Sequence, residues 1–266
     1  GRGREGRVGR SGMTSREPAR GLDQVMVGMR EMGEALARHR GMDGAPARAE
    51  ARRLLEAVGI PDAARRLDDY PFQFSGGMKQ RVMIAMALAG EPRLLIADEP
   101  KTALDVTVQA QVLDLLARLQ AESGMGMLLI THDLGVVARM AQRVGVMYAG
   151  ELVETGKRAD FFRHPLHPYS RKLFAALPTE GQRGQPLAAL GGSVPALDRG
   201  FTGCRFADRC PQAFDLCRRD APAWYRRAGQ AVRCHLYAAG GSAVEPPPPA
   251  RGAACGAGAR GPRGPW

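Results

Sequence analysis

A short apolar run that ends in two adjacent carboxylates limits what this chain can fold into. Residues 94–97 (Leu-Leu-Ile-Ala) follow a Glu-Pro-Arg breaker and lead directly into Asp98 and Glu99. The length of the run and its flanking turn signals predict a strand of a parallel sheet, buried on both faces. Ligands of such sheets bind beyond the carboxyl ends of the strands. Asp98 could there hold a magnesium ion and Glu99 could take a proton from water, although the same pattern also occurs wherever a strand meets a turn.

A second predicted strand, residues 127–131, places His132 at the same edge. A helix capped by Asp105 and running to about residue 120 connects the two strands, and Gly124 ends that segment. A further helix at 134–141 and a strand at 143–148 continue the alternation. This order predicts a right-handed parallel α/β fold. A lone histidine after a strand is usually structural, but here it would lie on the edge of Asp98, where it could contact a phosphate or a water.

Two amphipathic helices are predicted before this sheet, at residues 22–40 and about 45–58. Their apolar residues recur at helical spacing, and Gly59 followed by Pro61 stops the second helix. The methionines on the first helix are interpreted as core residues.

Ser75 precedes two glycines and a third predicted helix. Ser75 is a good N-cap, but Gly76 and Gly77 weaken the first helical turn unless something approaches the backbone closely. The bare N–H groups and the positive helix end predict a phosphate there. An ordinary glycine-containing loop is the alternative. Four neighbouring polar side chains favour the phosphate: Gln73, Lys79, Gln80 and Arg81.

Composition excludes some classes of protein. The net charge of the 266 residues is +11, mostly from arginine, but only 6% of residues are aromatic and no basic stripe interleaves with them. We therefore expect no nucleic-acid partner. No apolar run approaches the ~20 residues of a membrane span. Residues 1–20 are rich in Gly and Arg and are predicted to be disordered or a non-native lead.

Four motifs occur in the order and spacing of the nucleotide-binding subunit of ABC transporters, which this chain resembles. They correspond to its signature, Walker B, D-loop and H-loop motifs: Ser75-Gly76-Gly77, Asp98-Glu99-Pro100, Thr102-Ala103-Leu104-Asp105 and Ile130-Thr131-His132-Asp133. Flanking segments are similar to the peptide and nickel importer branch: Tyr70-Pro71, residues 106–111, residues 147–151 and His164-Pro165-Leu166-His167-Pro168-Tyr169. The resemblance runs from about Met13 to Tyr237.

The resemblance implies ATP hydrolysis with Mg²⁺. Asp98 would hold the magnesium, Glu99 would be the general base and His132 would sense the γ-phosphate. A second ATPase subunit, identical or paralogous, would dimerise head to tail with this one. Ser75 and Gly77 would then clamp the γ-phosphate of the partner's ATP, and the remaining nucleotide contacts would come from Gly76, Gln80 and Asp105. The subunit would lie at the cytoplasmic face of the inner membrane, drive separate permeases and serve a substrate-binding protein indirectly.

Three departures separate this chain from the family pattern. No stretch fits the phosphate loop G-x4-G-K-[ST], Arg10 stands where the Q-loop glutamine is expected, and Lys101 replaces a threonine. We expect a truncated gene or a fragment of a complete ATPase, with a hydrophobic sheet edge left unpaired. The alternative is a non-catalytic partner that contributes only its signature half-site.

Four cysteines follow in a segment that resembles the C-terminal extension of oligopeptide and dipeptide importer ATPases: Cys204, Cys210, Cys217 and Cys234. In a cytosolic protein they would remain reduced or bind metal. Spacings of five, six and sixteen intervening residues are not those of a zinc ribbon, so they favour a four-iron four-sulfur cluster, as in some family members. Reduced, buried thiols are the alternative, and a redox module is a third reading. Cys255 lies in the low-complexity tail and is not expected to be a ligand.

The expected organisation has five parts: the lead at 1–20, a helical subdomain at 21–72, the ATPase core at 73–156, the cysteine-containing extension at 157–239 and a disordered tail at 240–266.

Overall fold

The computed structural model describes residues 11–14, 28–100, 104–176, 191–196, 198, 200–239 and 242–244. The chain divides into two compact units, Gly1–Met140 and Ala141–Trp266. Lys101, Thr102 and Cys255, which figured in the sequence predictions, lie outside the described residues, as does Arg10.

A parallel sheet forms the centre of the first unit. Its described strands are β1 (Ser11–Thr14), β2 (Leu94–Asp98) and β3 (Gly126–Ile130), in the order β1-β2-β3. Both pairings are parallel, and the register sets Asp98 opposite Ile130. This confirms the two predicted strands and their common edge. It also corrects the predicted disorder of residues 1–20 at one point, since four of these residues pair with β2.

Five helices of the first unit occur in the predicted order, and the short helix Ala63–Arg66 was not predicted. The helices are α1 (Gly28–Arg40), α2 (Gly44–Ala57), α3 (Ala63–Arg66), α4 (Gly76–Leu88), α5 (Val106–Ser123) and α6 (Leu134–Met140), with a 3-10 turn at Pro71–Gln73. The predicted stops are confirmed. Gly59 follows α2 with φ of +73°, and Gly124 caps α5 with φ of +65°, a region that glycine adopts without steric cost.

One hydrophobic core joins α1, α2, α4 and α5 to the sheet. Leu95 and Ala97 of β2 are fully buried in it, together with Ile84 of α4 and Leu116 of α5. The prediction of a strand buried on both faces is wrong for the described residues. Alternate β2 residues are only half-buried, and on the neighbouring strand β3 the side chains of Leu128 and Ile130 are exposed.

An antiparallel sheet forms the second unit, with the strand order β4-β5-β7-β6-β8. The strands are β4 (Arg143–Tyr148), β5 (Glu151–Lys157), β6 (Trp224–Arg227), β7 (Gln230–Arg233) and β8 (Ser242–Val244). The predicted strand at 143–148 exists, but its predicted parallel role is wrong, because it pairs antiparallel with β5. Ala149 and Gly150 between them have φ of +47° and +79°. Two central residues with positive φ favour a tight hairpin, which the alternation of elements did not reveal.

Three helices and two 3-10 turns complete the described part of the second unit: α7 (Arg158–Arg163), α8 (Pro168–Ala175), α9 (Asp215–Arg219), and turns at Ala207–Arg209 and His235–Tyr237. Strand β8 falls within the tail predicted to be disordered, so that prediction is wrong for residues 242–244. Among the described residues, no helix combines the length and the apolar character needed to cross a membrane.

Candidate functional site

The structure brings Glu99 and His132 together at the carboxyl ends of β2 and β3. His132 donates to Oε1 of Glu99 twice, from Nδ1 over 2.7 Å and from its backbone nitrogen over 3.1 Å. Glu99 is buried, whereas the His132 side chain is 83% exposed. Oε2 of Glu99 is also buried and has no hydrogen-bond partner in the described part of the chain. The carboxylate is thus fixed through one oxygen and retains acceptor capacity on the other.

Backbone geometry holds this pair in place. Glu99 has φ of +47°, and its N–H donates to the carbonyl of Ile130 over 2.9 Å, which continues the sheet pairing one residue past β2. A non-glycine residue in the left-handed region is uncommon and costs of order 1–3 kcal/mol. On the other strand, Asp133 Oδ1 accepts from the backbone nitrogens of Gly135 and Val136 at the start of α6. That cap fixes the turn that carries His132.

Asp98 is the last residue of β2 and is half-buried next to Glu99. Its position is the predicted one, at the end of the strand where a carboxylate could meet a metal ion that bridges phosphates. The donor chemistry fits Mg²⁺, which uses one or two protein carboxylates and takes its other ligands from phosphate and water.

Ser75 caps α4 as predicted. Its Oγ accepts from the backbone nitrogen of Met78 over 3.3 Å, and Gly76 and Gly77 form the first helical turn. Asp105 caps α5 in the same way, with Oδ1 accepting from the nitrogen of Val108 over 2.9 Å. Ser75 and Asp105 therefore mark the N-termini of two packed helices. Asp105 is exposed, and its side chain makes this cap.

Different local contacts explain the presence of glycine at positions 76 and 77. A Cβ on Gly77 would lie 2.6 Å from Cγ1 of Val108, so the close packing of α4 on α5 requires a glycine there. A Cβ on Gly76 would meet Cδ2 of Leu104 at 3.5 Å, an ordinary contact. The sequence argument attributed both glycines to an approaching phosphate. Helix packing alone accounts for Gly77, and Gly76 is free of that constraint.

Three of the polar residues that the sequence analysis took as evidence for a bound phosphate have an explanation within the fold. Gln73 Oε1 accepts from the nitrogen of Tyr70, and Arg81 donates to the carbonyls of Val58 and Gly59 at the end of α2. Gln80, predicted to bind nucleotide, is 1% exposed, and its contact with nucleotide stays a prediction. Its burial follows from helical geometry, since position 80 faces the core one turn beyond the glycines.

The four C-terminal cysteines converge on one pocket in the second unit. All four thiols are free. The other residues that line the pocket are His167, Pro168, Phe206, Ala207, Gln212, His235 and Leu236. Burial raises the pKa of the Cys204 and Cys210 thiols, and it raises the pKa of Cys234 to about 11. Neighbouring cysteines add to each shift, which reflects their mutual proximity. Even so, within the described residues no three or more His, Cys, Asp or Glu side chains are grouped so that they could hold a metal ion.

A buried polar network beside that pocket was missed by the sequence analysis. Glu154 is fully buried, and its two oxygens accept from the backbone nitrogens of Leu166 and His167, both over 2.8 Å. His167 caps α8, with Nδ1 accepting from the nitrogen of Tyr169 over 3.1 Å. Burial raises the pKa of Glu154 and lowers that of His167 to about 4. The available signal was a histidine directly before Pro168, a common first residue of a helix.

Comparison with known protein families finds one match in the first part of the chain and another in the second part. The model described as "ABC transporter" matches residues 5–102, which contain Ser75, Asp98 and Glu99. The model described as "Oligopeptide/dipeptide transporter, C-terminal region" matches residues 153–217, which contain three of the four clustered cysteines.

Two similar relatives carry names that describe peptide import ATP-binding proteins. One from Brucella melitensis is 51% identical over 217 residues, covering 79% of this chain and 64% of the relative. Another from Brucella abortus is 48% identical over 222 residues, covering 84% of this chain and 67% of the relative. The chain thus spans about two thirds of the length of the curated relatives it matches.

A solved structure supports the fold. It is cbiO1 from Clostridium perfringens, described as part of the ABC transporter complex cbiONQ, with a TM-score of 0.51 and 26% identity over 59% of this chain and 60% of that one. The chain is therefore similar both to named importer ATPases and to a structurally known ABC protein.

Proposed function

Because this chain belongs to the ABC transporter family, in the branch of the peptide import ATP-binding proteins, we propose that it is the ATP-hydrolysing subunit of a peptide importer. The observation that carries this proposal is the Glu99–His132 pair at the ends of adjacent parallel strands. Peptide as the transported class comes from the names of relatives that are 48–51% identical.

Glu99 is proposed as the general base. One oxygen is held by His132, so the other can accept a proton from a water that attacks the γ-phosphate. His132 orients this carboxylate, and its exposed ring can itself reach a phosphate oxygen. The burial of Glu99 strengthens its hydrogen bond with His132, because charges interact more strongly at a lower dielectric constant.

Asp98 is proposed to hold Mg²⁺ and Ser75 to contact nucleotide. The metal would neutralise charge on the phosphates, and Asp98 would supply the protein carboxylate. The N-terminus of α4 would offer backbone N–H groups to an anion, with Ser75 and Gly76 nearest to it. By analogy with the family, that anion is the γ-phosphate of ATP bound by a second ATPase subunit, and the dimer lies against permeases at the cytoplasmic membrane face.

A second candidate function is that of a non-catalytic partner that contributes the Ser75 half-site to a complete ATPase. It is favoured by the position of Ser75 at the N-terminus of α4, where the half-site does not depend on Glu99.

Two variants separate these readings. Each variant should be expressed from the native chromosomal gene and purified together with its associated subunits. ATP hydrolysis is then measured for Ser75→Asp and Glu99→Gln. Aspartate preserves the helix cap but repels a phosphate. If both variants lower the rate, this chain is the hydrolysing subunit. If only Ser75→Asp lowers it, the partner reading holds. Full activity in both variants contradicts either reading.

We also propose that Cys204, Cys210, Cys217 and Cys234 bind a four-iron four-sulfur cluster. All four line one pocket, and their spacing along the chain is not that of a zinc ribbon. Four cysteine thiolates are the ligand set of a four-iron cluster. When bound, the cluster would cross-link distant segments of the extension and could transfer one electron.

Anaerobic reconstitution with iron and sulfide tests this assignment. We expect a broad absorbance band in the visible region. We also expect about four iron atoms per chain, which is the iron content of the proposed cluster. Cys217→Ser should abolish both, whereas Cys255→Ser should change neither. Stoichiometric zinc binding without iron uptake would contradict the cluster.

A further inference from the structure

Arg81 links the helix that begins after Ser75 to two other helices of the first unit. Its Nη1 donates to the carbonyls of Val58 and Gly59, over 3.1 and 3.2 Å, at the end of α2. Its Nη2 donates to Oε1 of Gln111 on α5 over 3.1 Å. One half-buried side chain thus joins α4 to both α2 and α5.

The end of α2 is a favourable place for this cation. The last carbonyls of a helix have no partner within the helix, and they form the negative end of its dipole. A Cβ on Gly59 would lie 2.7 Å from Nη1 of Arg81, so a side chain at this position would displace the guanidinium. Arg118 of α5 donates to the preceding carbonyl, that of Ala57, over 2.9 Å. Of these two arginines that hold the end of α2, Arg81 is the one that lies on α4.

Residues 106–111, a segment similar to the importer branch, lie along the same part of α4. Val108 packs so closely on Gly77 that a Cβ there would lie 2.6 Å from it. Three residues later, Gln111 accepts the hydrogen bond from Arg81. The start of α5 therefore supports α4 from its first turn as far as Arg81.

The first turn of α4 depends on such support. Ser75 and Gly76 are exposed, and two consecutive glycines lower the intrinsic stability of this turn. The buried residues of α4 begin at Gln80, so packing in the core fixes the helix beyond its first turn. Arg81 lies at that boundary, six residues after Ser75. Its hydrogen bonds to α2 and α5 hold the helix where its exposed end begins.

We propose that Arg81 is a positioning residue for the nucleotide half-site at the N-terminus of α4. It does not contact nucleotide. By holding α4 on α2 and α5, it directs Ser75 and the backbone N–H groups of the first turn toward the phosphate. This inference rests on the proposed nucleotide contact of Ser75, and it applies to either proposed role of the chain.

The test measures the rate of ATP hydrolysis against ATP concentration for the protein purified together with its associated subunits. Arg81→Met keeps a long side chain but removes all three hydrogen bonds. We expect the ATP concentration at half-maximal rate to rise about tenfold, the scale of one or two lost hydrogen bonds. Arg118→Met is the matched control, because its bond to the same end of α2 comes from α5. That variant should leave the half-maximal concentration unchanged.

A second pair of variants makes the test independent of the stability of Arg81→Met. Gln111→Leu removes the acceptor on α5 but leaves the two bonds of Arg81 to α2. Gln111→Glu supplies a charged acceptor in its place. We expect the half-maximal ATP concentration to rise about threefold in Gln111→Leu, the scale of one hydrogen bond, and to stay at the wild-type value in Gln111→Glu.

The outcomes separate this role from the proposed function. If Ser75→Asp retains full hydrolysis, the nucleotide half-site and this inference fail together. If Ser75→Asp lowers the rate but Arg81→Met and Gln111→Leu keep the wild-type dependence on ATP, the role of Arg81 alone is overturned. Equal increases in Arg81→Met and Arg118→Met would show a general effect of loosening α2, and they would also overturn it.

Discussion

Nδ1 of His132 lies 2.7 Å from Oε1 of Glu99, across the ends of two adjacent parallel strands. The two residues are 33 positions apart in sequence, and the register of β2 with β3 brings them together. The same glutamate oxygen accepts from the His132 backbone, so the carboxylate is held by two donors. A buried base with one fixed and one unused oxygen is the feature from which the proposed hydrolysis follows.

Removal of the His132 ring should misplace this base. In His132→Ala, Glu99 retains only the backbone donor, and we expect ATP hydrolysis to fall about 100-fold, the scale of a small misplacement of a reacting group. The measurement is the steady-state rate at saturating ATP. His39→Ala, which removes an exposed histidine from α1, serves as the control. A wild-type rate in His132→Ala would exclude an orienting role.

Alanine at the two signature glycines should have opposite effects on stability. In Gly77→Ala the new methyl would lie 2.6 Å from Val108, so the free energy of unfolding should fall by about 1–3 kcal/mol. In Gly76→Ala there is room, and the better helix propensity of alanine should stabilise by up to about 1 kcal/mol. Urea unfolding measures both. Val108→Ala should relieve the clash in the double variant, and equal effects of the two single variants would contradict this packing account.

Replacement of the buried carboxylate of Glu154 by an amide should destabilise the folded protein. In Glu154→Gln one oxygen becomes an NH₂ group that faces a backbone N–H, so we expect a loss of about 1–3 kcal/mol in the free energy of unfolding. Asp208→Asn is the control in the same unit, because its ion pair with Arg218 is exposed. That variant should change stability by less than about 1 kcal/mol. Similar losses in both variants would show that burial of Glu154 is not decisive.

Alkaline pH should destabilise the metal-free cysteine unit. Burial raises the pKa of Cys234 to about 11 from an ordinary value near 9. The folded state thus keeps a proton that the unfolded state loses, so this contribution is complete below pH 9 and is lost as the pH rises toward 11. Thermal unfolding of the reduced, metal-free chain measures it. Cys234→Ala should flatten the dependence between pH 9 and 11, and an unchanged slope would contradict the shift.

The sequence predicted the elements of the first unit well because their signals are local. Gly59 and Gly124 end their helices, and Ser75 and Asp105 begin theirs, as the capping rules require. The position of Glu99 beside His132 was also predicted, since parallel strands place their carboxyl ends at one edge.

Other features depended on contacts that no local pattern shows. Position 77 needs a glycine because of Val108, which lies 31 positions away on another helix. Gln80 carries a polar side chain on a face that the helix buries. β4 and β5 pair antiparallel through a turn in which Ala149 and Gly150 adopt positive φ. The amino-acid types at these two positions did not by themselves exclude a crossover to a parallel strand. Glu154 and His167 meet only once the second unit has folded.

The most direct test of the central claim is the nucleotide that the protein retains. Glu99→Gln, prepared from the native locus with its partner subunits, should be incubated with Mg²⁺ and ATP, freed of excess ligand and analysed for bound nucleotide. Glu122→Gln, on the exposed face of α5, is the control. If Glu99 is the base, its variant retains intact ATP and hydrolyses it about 10²–10⁴-fold more slowly than wild type. Bound ADP and a wild-type rate in Glu99→Gln would contradict the account.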